Sequence, residues 1–152
     1  MENTIVIQNY IPFQFEGTNR QDFLESVAKL LFKKGYVKET FFQSICKREE
    51  KYPTGIMLGD YGIAIPHTEC EHIFKSSIVV TYSNNPIPFQ SMENPKEVVP
   101  ANIVLVLALK EPEDHLASLS KLMELLQQES IMKEIKLLKT SEELTNLIIS
   151  HI

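Results

Sequence analysis

Three things are scarce in this 152-residue chain: cysteine, glycine and long apolar runs. The two cysteines, Cys46 and Cys70, make no C-x-x-C pair and no disulfide framework, which fits a reducing compartment. The glycines at 55, 59 and 62 in "TGIMLGDYG" spell neither a G-K-[ST] loop nor G-x-G-x-x-G, so direct nucleotide use is not expected. The longest strictly apolar run, Ile103 to Leu109, is far below the roughly 20 residues that a membrane-spanning helix needs. No basic segment followed by an apolar core opens the chain, so no secretory signal is expected. Acidic residues outnumber basic ones 20 to 15, for a formal net charge of -5. Lys33-Lys34 and Lys47-Arg48 are flanked by apolar and acidic residues, and a nucleic-acid partner would need a basic patch. Together these absences predict a soluble, cytoplasmic protein that binds no nucleic acid and does not insert into a membrane.

What is present reads as strands among helices. Without repeats, low-complexity tracts or Gly/Ser-rich linkers, residues 1–152 are expected to form one domain. Thr4 to Gln8 is a β-branched run that predicts a strand. Thr18-Asn19 can cap a helix whose apolar stripe is Phe23, Leu24, Val27, Leu30 and Leu31, with Gly35 as its stop. A second helix is predicted from about Glu39 to Glu50, before Pro53. Its apolar face carries Phe41 and Ile45, and the next position on that stripe is Arg48.

Ile63 to Ile65 reads as a strand ended by Pro66, Ser76 to Tyr82 as another, and Asn84-Asn85-Pro86 as a turn. "IVLVLAL", Ile103 to Leu109, lacks polar alternation, which suits a central strand covered on both faces. Pro112 and Asp114 open a helix with Leu116, Leu119, Leu122, Met123 and Leu126 along one side. Two further helices are expected over Glu129–Leu138 and Glu142–Ile149, the last with Thr140 and Glu143 at capping-box spacing. The implied fold class is α/β, a sheet with helices on its faces.

Three side chains stand out chemically. In "GIAIPHT", Ile65 is biased toward an extended backbone by the proline after it, and Pro66 fixes its own φ. His67 is therefore held on a stiffened chain at a strand's carboxyl end, the rim where open α/β sheets keep their sites. An imidazole with a pKa near ~6.5 can serve there as nucleophile, acid, base or metal ligand; the plainer reading is a surface histidine at a strand–loop junction. His115 falls early in its helix, where the N-terminus favours an anion and a neutral ring could donate to it. Its plainer reading is a core histidine bonded to a carbonyl. Arg48 either buries its stem and complements its helix's negative end, or aims its planar fork at phosphate oxygens. His67, Cys70 and His72, with Cys46 as a fourth ligand, would make a metal site of non-standard spacing, H-x-x-C-x-H.

The three segments "KREEKYPTG" (Lys47–Gly55), "GIAIPHT" (Gly62–Thr68) and "EPEDHLASLSKLMELL" (Glu111–Leu126) together resemble the enzyme IIA component of the sugar phosphotransferase system. The resemblance runs from Asp22 to Leu147, to the fructose–mannitol structural type and, in its "YPTG" and "IPHT" wording, to the galactitol branch. It implies a mixed β-sheet flanked by helices on both faces, the mannitol-specific IIA-like fold. It also implies a phosphoryl relay that uses no cofactor and no metal. His67 would be the phosphoacceptor through Nε2, His115 would bond or orient the phosphoryl group, Arg48 would hold its oxygens, and Thr54 would bind nearby. The implied partners are the histidine-containing phosphocarrier HPr and a IIB component, with a membrane IIC protein only indirectly, and the carrier is expected to be a monomer. Two other readings stay open: a regulatory nitrogen-type IIA protein, and a small metal-binding domain.

Overall fold

The apolar run around Ile103 lies at the centre of a five-stranded sheet, as its lack of alternation requires. The computed structural model describes residues 9–152, so the strand expected over residues 4–8 lies outside the described part. Strand β1 is Tyr10–Pro12, β2 Ile56–Leu58, β3 Tyr61–Ala64, β4 Ser77–Gln90 and β5 Val98–Ala108. The helices are α1 Arg20–Lys33, α2 Phe41–Lys51, α3 Pro112–Leu126, α4 Glu129–Ile135 and α5 Ser141–His151. The strand order is β1-β4-β5-β3-β2, with β1 parallel to β4, β5 parallel to β3, and the other two pairings antiparallel. This is the mixed sheet of the expected α/β class.

Alternation along β5 divides the core in two. Ile103, Leu105, Leu107 and Leu109 face a layer that includes Leu122, Leu126, Ile131 and Leu144 of α3, α4 and α5. Val104, Val106 and Ala108 face Phe23, Leu31, Phe41 and Ile45 of α1 and α2. Because successive strand side chains point to opposite faces, a strand covered on both must be apolar throughout. The helix ends follow their local signals. Asn19 Oδ1 accepts from the Asp22 amide at 2.9 Å, and Gly35, at φ 80°, takes the left-handed turn after α1. Thr140 and Glu143 form the capping box that starts α5.

Three expectations change. Asn84-Asn85-Pro86 does not end β4, which continues to Gln90 across a register shift between Tyr82 and Ile87. The irregularity holds because the Ser83 hydroxyl donates to the Asn85 carbonyl and Asn102 Nδ2 donates to that of Ser83, so the backbone stays bonded. Leu116, assigned to the apolar side of α3, is 72% exposed, and Leu125 takes a core position instead. On α2 the buried face runs Phe41, Ile45, Glu49, so the stripe ends in a carboxyl and the half-exposed Arg48 stands beside it. No helix among the described residues is long and apolar enough to cross a membrane.

Candidate active site

Parallel pairing of β3 with β5 puts both carboxyl ends on one rim of the sheet, and the site forms there. Pro66 has no N–H, but its carbonyl accepts from the Leu107 amide at 2.9 Å, which carries the pairing past the end of β3. His67 then lies opposite Leu107. Three residues separate Ala108, the end of β5, from Pro112, where α3 begins, so His115 at the start of that helix rises at the same rim. Arg48 comes from the last turn of α2, on the other face of the sheet. The three meet around an open cleft of about 510 Å³ that is also lined by Thr68, Glu69, Cys70, Glu71 and Pro112. The ring centres of His67 and His115 are 5.5 Å apart.

The hydrogen bonds fix the chemistry of each ring. His67 Nδ1 lies 3.0 Å from the Ile65 carbonyl oxygen, which can only accept, so Nδ1 carries the proton. In the neutral ring Nε2 is then the unprotonated nitrogen. Burial lowers the His67 pKa below that of a free imidazole and the Arg48 charge adds to the effect, against raising pulls from Ile65 and Glu69. His115 has its pKa lowered as well, by burial first and then by the neighbouring His67 and Arg48. Its Nδ1 is 3.8 Å from Cys70 Sγ. Burial and the acidic groups of Glu111, Asp114 and Glu113 push the Cys70 thiol up, so a neutral thiol faces Nδ1, able to donate to it or accept from it according to the His115 tautomer.

Arg48 donates from Nη1 to Glu69 Oε2 at 3.0 Å, and its guanidinium carbon lies 5.3 Å from the centre of the Tyr52 ring. The Ser44 and Thr68 hydroxyls lie against one another and against the Glu69 carboxylate. These bonds, led by Thr68, hold the Glu69 pKa at about 2. Glu69 thus turns back toward α2 and orients the arginine. Two buried side-chain nitrogens of the cleft have no partner among the described residues, Arg48 Nε and His115 Nε2. Arg48 Nε can only donate, and a buried donor without an acceptor is costly. An anion with several oxygens matches that need.

Thr54 is placed differently from the other predicted residues. It is buried, it does not line the cleft, and its hydroxyl donates to Glu49 while accepting from the Ile65 amide. The proposed metal ligands also separate. His72 Nδ1 pairs with the Thr40 hydroxyl at 2.7 Å, Cys70 faces His115, and Cys46 packs against the α1–α2 core. Among the described residues no group of three or more His, Cys, Asp or Glu side chains is arranged to hold a metal ion.

The family described as "Phosphoenolpyruvate-dependent sugar phosphotransferase system, EIIA 2" matches residues 4–151. The chain belongs to this family. As an enzyme IIA it is a phosphotransferase component, one station of a phosphoryl relay. It is 32% identical over 117 residues, 77% of each chain, to the galactitol-specific EIIA component of Escherichia coli K12. It is 27% identical to the mannitol-specific enzyme IIA component of Halalkalibacterium halodurans, over 94% of this chain and 93% of the other. The fold matches that of IIA mannitol from Escherichia coli, solved in complex with phosphorylated IIB mannitol, with a TM-score of 0.71 at 20% identity. That match covers 97% of this chain and 98% of the other.

Sequence reasoning missed the second layer of this enzyme IIA site. Glu49 sits four residues after Ile45 on the buried face of α2, and a carboxyl at that spacing was the available signal. Nothing local marks Cys70 as the partner of His115 or Glu69 as that of Arg48. Those pairings join residues 45 and 21 positions apart.

Proposed function

We propose that His67 Nε2 accepts a phosphoryl group from phospho-HPr and passes it to a cysteine of a IIB component, in a galactitol-type uptake system whose IIC protein moves the sugar. The observation that carries this reading is His67 Nδ1 bonded to the Ile65 carbonyl, which leaves Nε2 free on a cleft that also presents two partnerless nitrogens, Arg48 Nε and His115 Nε2. In the first step the Nε2 lone pair forms a P–N bond while the donor's own N–P bond breaks and its electron pair returns to the donor ring. The His67 ring becomes cationic, with Nδ1–H still held by the Ile65 carbonyl. In the second step a partner thiolate attacks phosphorus, and the N–P pair returns to Nε2.

Transfer of this kind depends on alignment and charge stabilisation more than on covalent help. Arg48 and His115 are placed to share the equatorial oxygens, and donors already fixed in a partly dry cleft cost little reorganisation as charge shifts. Arg48 keeps one nitrogen on Glu69, so the anion is steadied without being trapped. The galactitol assignment rests on the relative that is 32% identical. Incubation with phosphoenolpyruvate, enzyme I and HPr should put an acid-labile, base-stable phosphate on the chain. His67→Ala should abolish that labelling without loss of fold, and persistent labelling would refute the assignment. Discharge of the phosphate by a IIB domain separates the uptake role from the regulatory nitrogen-type one.

A further inference from the structure

Behind the cleft, a second polar cluster runs from α2 to His67. Glu49 is 2% exposed and follows Arg48 directly on the helix. Its carboxylate accepts from the Thr54 amide at 2.9 Å and from the Thr54 hydroxyl at 3.0 Å. With its own proton given to Glu49, Thr54 Oγ1 accepts from the Ile65 amide at 3.0 Å. The Ile65 carbonyl, at the other end of the same residue, takes the His67 Nδ1 proton at 3.0 Å. The Ile65 amide can only donate and its carbonyl can only accept, so the two ends of Ile65 fix Thr54 Oγ1 as an acceptor and His67 Nδ1 as a donor.

We propose that Glu49 and Thr54 are positioning residues for the phosphoacceptor: through Ile65 they fix the carbonyl that holds His67 Nδ1–H, and so keep Nε2 the unprotonated nitrogen. The inference rests on His67 being the acceptor and adds what holds it ready. A neutral imidazole can carry its proton on either nitrogen, and only one form leaves a lone pair on Nε2. A hydrogen bond weakens steeply as its angle departs from linear, so a small drift of Ile65 releases that choice. The cluster also ties the helix that carries the guanidinium to the strand end that carries the imidazole.

The residue type at position 49 supports a role beyond packing. The position continues the Phe41–Ile45 face, where an apolar side chain would fill the same space without the desolvation cost of a carboxyl. Burial raises the Glu49 pKa to about 7 against the lowering pull of the Thr54 bonds and of Arg20. A group that costs the fold something, linked through Thr54 and Ile65 to the reacting side chain, is where function overrides stability.

The test is nitrogen-15 NMR of the His67 ring together with the initial rate of phosphoryl acceptance from phospho-HPr. Thr54→Val keeps the shape and removes the hydroxyl; Thr54→Ser returns it. In Thr54→Val part of the neutral ring should move its proton to Nε2, and acceptance should slow about ten- to a hundredfold, the cost of a displaced reacting geometry. Thr54→Ser should restore both readouts. If Thr54→Val does not fold, Glu49→Gln carries the same two measurements, with the same shift of the ring proton expected. A ring that keeps its proton on Nδ1 in the folded variant overturns the proposal, whatever the rate. Failure of wild-type His67 to take phosphate would instead refute the acceptor reading, and the ring measurement would still decide the positioning role.

Discussion

Replacing Glu49 with glutamine preserves the size of the side chain and removes its ionisation, so it isolates what one buried carboxyl does to folding as pH changes. In the folded chain burial raises the Glu49 pKa from 4.5 to about 7, and in the unfolded chain it returns to the ordinary value. Between those values the folded form holds a proton that the unfolded form has lost. The unfolding free energy therefore falls as pH rises through that window. The raised pKa contributes stability that is fully present below 4.5 and is lost as pH passes about 7. At 1.36 kcal/mol per pKa unit the change comes to about 3 kcal/mol. Urea unfolding of wild type and Glu49→Gln across this range should show wild type losing about 3 kcal/mol relative to the variant as pH rises. His67 and His115, whose pKa values are lowered, act in the opposite direction, and an NMR titration of both rings in each protein removes their share from the difference. A difference that stays constant with pH would refute the buried, proton-holding carboxyl.

Other outcomes follow from the same geometry. Arg48→Lys keeps the charge but cannot serve Glu69 and an anion with separate nitrogens; phosphoryl acceptance should fall on the order of a hundredfold with little change in Tm, and an unchanged rate would remove the guanidinium from the chemistry. Because the His67 pKa is lowered by burial and by Arg48, acceptance should hold steady as pH falls past the ~6.5 of a free imidazole and drop only below it. An NMR titration of the ring with its midpoint at or above that value would contradict the assignment. In Gly62→Ala the new methyl would overlap the Pro100 carbonyl oxygen and come within 2.8 Å of Val99 Cγ1, so β3 must shift. A loss of about 1–3 kcal/mol is expected in denaturant unfolding, and an unchanged midpoint would mean the strand has room that the geometry denies.

The elements that the sequence determined on its own are those set by neighbours a few residues apart. Asn19 and Gly35 bound α1, Thr140 and Glu143 start α5, and the unbroken apolar run centred on Val106 has nowhere to lie but the middle of a sheet. Residue type and position at element ends marked His67, His115 and Arg48 as candidates, since Pro66 and the start of α3 are local facts, and the family resemblance chose the chemical reading over the plainer one. Tertiary structure decided everything that depends on a partner distant in the chain. Asn84-Asn85-Pro86 reads as a turn until β5 pairs on both sides of it. Leu116 fits the apolar stripe of α3 until packing buries Ser118, Leu122, Leu125 and Leu126 and leaves it in solvent. Glu49 and Thr54 are ordinary polar residues until folding places them under Ile65. Periodicity and capping are written in single-chain geometry, but which donor meets which acceptor depends on how separate elements cross, and that is fixed only when the two halves of the core close on the sheet.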